Sequence, residues 1–396
     1  MSAVADRGRA TLPVLLSRGF RPFFLGAALW AAIALALWLA MLTTSFAVPT
    51  RFEPLQWHIH EMLFGFVLAT VAGFLLTAIP EWTGREPVTG GLLGTLCGLW
   101  LLGRIDTLFC GLIPLGLAIG ADIAFPVALA VVVAREIIAS GQRARRPMIV
   151  PVIALTLAQL LMDLGGEAGI GDLADYGWRL GLAAILILIS VIGGRIVPTF
   201  TRNWLMRRGQ LRVPPTAGIV DRAALGVLHT ALIAWVLFPE SRLAGVALFA
   251  GAAINLWRLS RWHGVATRAE PLLFVLHVGY AWLVVGIAAL GVATWDPTFP
   301  LSAAIHALTV GAIGTMILAV MTRATRGHTG RELAADGPTA LIYVFVVLAA
   351  GARIVAAFAA HAQVDWLLAA GALWICAFGL FASCYAPLLL RARRSP

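Results

Sequence analysis

The chain has 396 residues, 60% of them hydrophobic and 12% charged, with a mean hydropathy of +0.91. Soluble domains carry about 25% charged residues, so a cytosolic enzyme, a secreted disulfide scaffold and a disordered chain are all excluded. What remains is a polytopic helical membrane protein. The formal charge of +10 rests on 29 arginines with no lysine, a usage that codon bias in a GC-rich genome accounts for.

A bilayer-spanning helix needs roughly 20 apolar residues. Segments of that kind begin near Phe23, His58, Gly90, Leu112, Met148, Tyr176, Ile219, Leu243, Pro271, Ala303, Pro338 and Asp365, twelve in all. Pro126 interrupts the fourth and Asn255 the eighth. No cleavable signal-peptide pattern precedes the first, because MSAVADRGRA runs through RGFRPFF into a full-length span. The four cysteines, Cys97, Cys110, Cys376 and Cys384, lie in apolar runs without CxxC spacing and read as packing residues.

Orientation follows from the arginines, since cytoplasmic loops hold the basic excess. Alternate loops carry Arg7, Arg9, Arg18 and Arg21, then Arg85, then Arg135, Arg143, Arg145 and Arg146. The series continues with Arg202, Arg207, Arg208 and Arg212, with Arg258, Arg261 and Arg268, with Arg323, Arg326 and Arg331, and with Arg391, Arg393 and Arg394. The intervening loops hold only Arg51 and Arg242, and one is acidic, with Asp163, Glu167, Asp172 and Asp175. Both termini are therefore expected in the cytoplasm. The basic charge faces anionic lipid, and no nucleic-acid partner is needed to explain it.

An internal repeat is also visible. Pro22, Pro147 and Pro271 open helices 1, 5 and 9 and lie 125 and 124 residues apart. HEMLFGFVLATVAGFLLTAIPEWTGRE, from His60 to Glu86, aligns without a gap with HALTVGAIGTMILAVMTRATRGHTGRE, from His306 to Glu332. Gly103-Arg104-Ile105 matches Ala352-Arg353-Ile354. The expected fold is all-α, a single membrane domain over 1–396. Within it, three parallel four-helix units cover about 17–141, 142–266 and 267–392.

Ionisable groups in the hydrocarbon region are costly and mark functional positions. His58 and His60 fall at the outer end of helix 2 and His306 at the outer end of helix 10. His229 lies about 15 Å along helix 7, and His277 in the inner half of helix 9. His263 and His328 lie in cytoplasmic loops and His361 in an outer loop. Imidazole is the common ligand of copper, zinc and haem iron. A lone intramembrane histidine is more often a hydrogen-bonded core residue, but five in one bundle point toward ligation. The repeat places His60 and His306 at matching depth. Positions i and i+2 on a helix point about 200° apart, so His58 and His60 are expected to serve different sites. Glu61 beside them reads either as a capping carboxylate or as a proton donor. Most of the cytoplasmic arginines mark topology; Arg51, Arg104 and Arg353 are better placed for anionic groups near the outer ends.

The segments RGFRPFFLGAALWA, WHIHEMLFGFVLATVAGFLLTAIPEWTGR, LHVGYAWLVVG and AIHALTVGAIGTMILAVMTRATRGHTGR together resemble the NnrS family, over nearly the whole chain. That resemblance implies a bacterial inner-membrane protein of about twelve spans, associated with haem, copper and the nitric oxide response of denitrifiers. A weaker, architectural likeness is to the catalytic subunit of haem–copper oxidases. There too twelve helices form three arcs, but helix 6 here lacks histidine and helix 10 has one where the oxidases have two.

On these grounds His60 and His306 are expected to be axial ligands of a b-type haem. His58, His229 and His277 are then the candidates for copper or a second haem, with Arg51, Arg104 and Arg353 near the propionates. Any turnover would be nitric oxide reduction, with Glu61 donating protons and a quinol or cytochrome donating electrons. The alternatives are a secondary transporter, whose usual inverted repeats differ from parallel units, and a haem-based sensor or metal-delivery protein without turnover.

Overall fold

The structure is a computed structural model and describes residues 13–392. Arg7, Arg9, Arg393 and Arg394, part of the topology reading, lie outside the described residues. The chain is 82% helix, and the described residues form no strand. Among the described residues twelve helical spans are long and apolar enough to cross a membrane. They run Phe20–Thr43, Pro54–Thr83, Gly90–Leu112, Leu115–Ala139, Arg143–Gly166, Leu173–Arg207, Ile219–Leu237, Arg242–Ser260, Pro271–Trp295, Leu301–His328, Gly337–Phe358 and Gln363–Leu390. They are called spans 1 to 12 below.

Neither expected interruption breaks its helix, and the reason is local. Proline removes the N–H that would bond the carbonyl four residues earlier. Pro126 thus frees the Asp122 carbonyl inside span 4, and the Gln159 amide of span 5 donates to it at 3.2 Å. Pro198 frees the Gly194 carbonyl of span 6, which accepts from Arg258 Nη2 at 3.2 Å. Asn255 sits inside span 8 with its amide donating to the Gly251 and Ala224 carbonyls and its oxygen accepting from the Tyr280 hydroxyl. Each of these three interruptions is therefore matched by a donor or acceptor on a neighbouring span, as an apolar solvent favours.

Consecutive spans pack side by side, and span 12 closes back on span 1. Arg21, at the start of span 1, donates to the carbonyls of Leu388, Leu389 and Arg391 at the end of span 12. Spans 2, 6, 9 and 10 are the most enclosed. Spans 2, 6 and 10 also depart from α geometry, with π-helical segments at Glu61–Val67, Ile189–Gly193 and Ala307–Gly314. Such segments insert one extra residue and re-aim the side chains around them. Two of them begin on the residue after a histidine, His60 in span 2 and His306 in span 10.

Candidate functional site

The main cavity has a volume of about 320 Å³ and lies between spans 1, 2, 6, 10, 11 and 12. Its wall is apolar, built by residues such as Leu35, Met62, Phe66, Val310 and Trp374, and it is large enough for an organic ligand. Three basic side chains break that wall: His58 from span 2, His306 from span 10 and Arg353 from span 11. The His58 ring stacks on Trp38 at 4.2 Å and 23°, and its Nδ1 is buried without a hydrogen-bond partner. His306 Nδ1 donates to the Ser302 carbonyl at 2.7 Å, which fixes the tautomer and leaves Nε2 as the free lone pair. Arg353 Nη1 is buried and unpartnered.

His60 faces elsewhere, as the helical angle requires. Fully buried, it lies among spans 2 to 5. Its Nδ1 is 3.1 Å from Glu61 Oε1, and its Nε2 is 2.9 Å from Asp122 Oδ2 and 3.1 Å from Asp163 Oδ1. Glu61 accepts from Trp30 Nε1 at 2.6 Å and from Arg104 Nη1. Arg104 Nη2 reaches Asp122 Oδ1 at 2.8 Å, and Gln159 Nε2 donates to Asp122 Oδ2 at 2.8 Å. Two glycines make this closeness possible. A Cβ on Gly65 would come within 2.8 Å of Trp30 Nε1, Glu61 Oε2 and Arg104 Nη1, and one on Gly103 would stand 2.7 Å from Asp122 Oδ1. At the edge of the cluster, just past span 5, burial pushes the Glu167 carboxyl above the usual carboxylate range, and the Asp122 charge adds to the effect.

The structure therefore brings together His58, His306 and Arg353, whereas the sequence reading paired His60 with His306. Arg104 belongs to the His60 cluster and not to the cavity. Arg51 is also away from the cavity, donating to the Ile113 carbonyl and pairing with Glu167 at 3.5 Å. Glu61 does not line the cavity, and its two oxygens are already occupied by three donors. His229 and His277 are not assembled with any other candidate ligand. His229 Nε2 meets Ser190 Oγ at 2.8 Å and His277 Nε2 meets Thr201 Oγ1 at 2.8 Å. Each hydroxyl donates its own hydrogen to a carbonyl, Ile187 or Val197, so in both pairs the ring N–H is the donor.

The sequence pattern gives Asp122 no role and reads Asp163 as part of an acidic loop; both are fully buried around His60. The available signal was in LAQLLMD, where Gln159 and Asp163 stand four apart in an apolar run and so share one helix face.

Twelve apolar spans, six of them around a histidine-bearing apolar cavity, define a multi-pass helical membrane protein. The chain belongs to the NnrS family, whose model, described as NnrS protein, matches residues 14–393. Comparison with curated proteins finds no match.

Proposed function

We propose that the cavity binds haem between His58 and His306 and that the protein acts on or responds to nitric oxide in the bacterial inner membrane. The observation that carries this reading is a cavity with an apolar wall, two histidines with uncommitted nitrogens and an arginine with an unpartnered nitrogen. A half-buried guanidinium without a carboxylate favours an anion, and the propionates of a haem would supply one. The Trp38 stack and the Ser302 carbonyl hold the two rings in place, and the apolar wall excludes water from the ligand. Haem iron, when bound, would supply a one-electron couple, and a position for nitric oxide once one of the two histidines gives up its place.

For copper, His229 and His277 each meet a hydroxyl and form no shared ligand set with His58. The four cysteines are free and separate, which leaves no thiolate cluster among the described residues. Sensing or delivery without turnover uses the same cavity as reduction, and electrons for reduction would come from a quinol or a cytochrome.

Purified protein assayed by pyridine haemochrome is expected to contain about one haem per chain, with a Soret band that shifts on addition of nitric oxide. Nitric oxide consumption by reductant-supplied membranes then separates an enzyme from a sensor. A colourless protein without haem would overturn the reading and favour transport.

A further inference from the structure

We propose that His60, Asp122 and Asp163 bind one divalent first-row metal cation, at a site separate from the haem cavity. These are the only three such side chains among the described residues whose donor atoms all lie within 4.8 Å of one another. Ligand atoms about 2.1 Å from an ion stand about 3.0–3.4 Å apart, close to the 2.9 and 3.1 Å separating His60 Nε2 from the two aspartates.

The surroundings are those of a metal ligand set. Glu61 takes the Nδ1 side of His60, which orients the ring and directs the Nε2 lone pair at the two aspartates. Gln159 and Arg104 hold Asp122 from its other sides.

Charge balance points the same way. Five carboxylates, those of Glu61, Asp106, Asp122, Asp163 and Glu167, are buried near one another. Among the described residues only two guanidiniums reach them, Arg104 and, at the edge, Arg51. Asp163 Oδ2 and both Asp106 oxygens are buried without any donor. Uncompensated buried carboxylates are strongly unfavourable, so the cluster takes up positive charge, either as protons on the carboxyls or as a cation. A proton on His60 Nε2 can point at only one aspartate, whereas a cation between them engages both. One imidazole with oxygen donors and no sulfur suits zinc(II), manganese(II), iron(II) or copper(II) and disfavours copper(I).

The test uses the full-length protein, stripped with a chelator and dialysed against zinc(II), with metal and protein measured by elemental analysis. Wild type is expected to retain one zinc more per chain than the Asp122→Asn/Asp163→Asn double variant. Glu61→Gln is expected to weaken binding about 10–100-fold, and His58→Ala to leave it unchanged. X-ray absorption of the zinc-loaded wild type needs no variant and is expected to show one imidazole in a shell of oxygens. Equal zinc in wild type and the double variant, including none in either, would overturn the proposal, as would a sulfur-containing or multi-imidazole shell. The haem content of the same samples is read separately, so failure of the haem reading leaves this result interpretable.

Discussion

At the scale of single residues, the informative groups are those whose partners are missing or over-committed. Arg104 is the over-committed case, bonded to Glu61 and Asp122 with its side chain 3% exposed. Removing one partner of a buried ion pair costs about 3–5 kcal/mol. Arg104→Met should therefore lower unfolding stability by that order in detergent, as read from the denaturation midpoint. Glu167 gives a pH dependence whose sign is fixed. Burial, helped by Asp122, raises its folded pKa, so the folded state holds the proton more tightly than the unfolded chain. The stability this contributes is present below the ordinary glutamate value of about 4.3 and is lost as pH rises through the folded value. Melting temperature measured against pH should fall over that window in wild type and fall less in Glu167→Gln.

At the scale of elements, the π-helical segments matter most. In the register that aligns His60 with His306 and Arg104 with Arg353, Ala307 stands where Glu61 stands, and Gly371 stands where Asp122 stands. The carboxylates that neutralise Arg104 thus have small residues as counterparts near Arg353, and Gly371 lines the cavity. The cavity and the His60 cluster then use the same helical positions, one emptied of acids and the other filled with them. The π segment Ala307–Gly314 sets the angle between His306 and the rest of span 10. Inserting one alanine after Gly314, where the span returns to α geometry, should rotate His306 by about 100° relative to the residues that follow. The variant is expected to insert in membranes but to lose most of its haem, as measured by haem-to-protein ratio.

At the scale of the whole molecule, most of the architecture was legible from apolar run length. All twelve spans begin within a few residues of the positions the sequence indicates. Arginine placement predicts cytoplasmic termini, so a fluorescent protein fused after Pro396 should fluoresce and an alkaline phosphatase fusion there should be inactive. The division of labour between His58 and His60 was legible too, because i and i+2 diverge on any helix. Which of the two meets His306 was not, since that depends on how span 2 is rotated among its neighbours and on a π segment that no apolar pattern announces. Asp163 was misplaced for a similar reason: a span end and a loop look alike when the polar residue is the last on its face.

The central claim, that the cavity between His58 and His306 holds haem, is tested most directly by the haem content of three single variants purified in parallel. His58→Ala and His306→Ala are expected to lose haem, while His60→Ala, whose ring faces the carboxylate cluster, retains it. Loss of haem in His60→Ala with retention in His58→Ala would contradict the account.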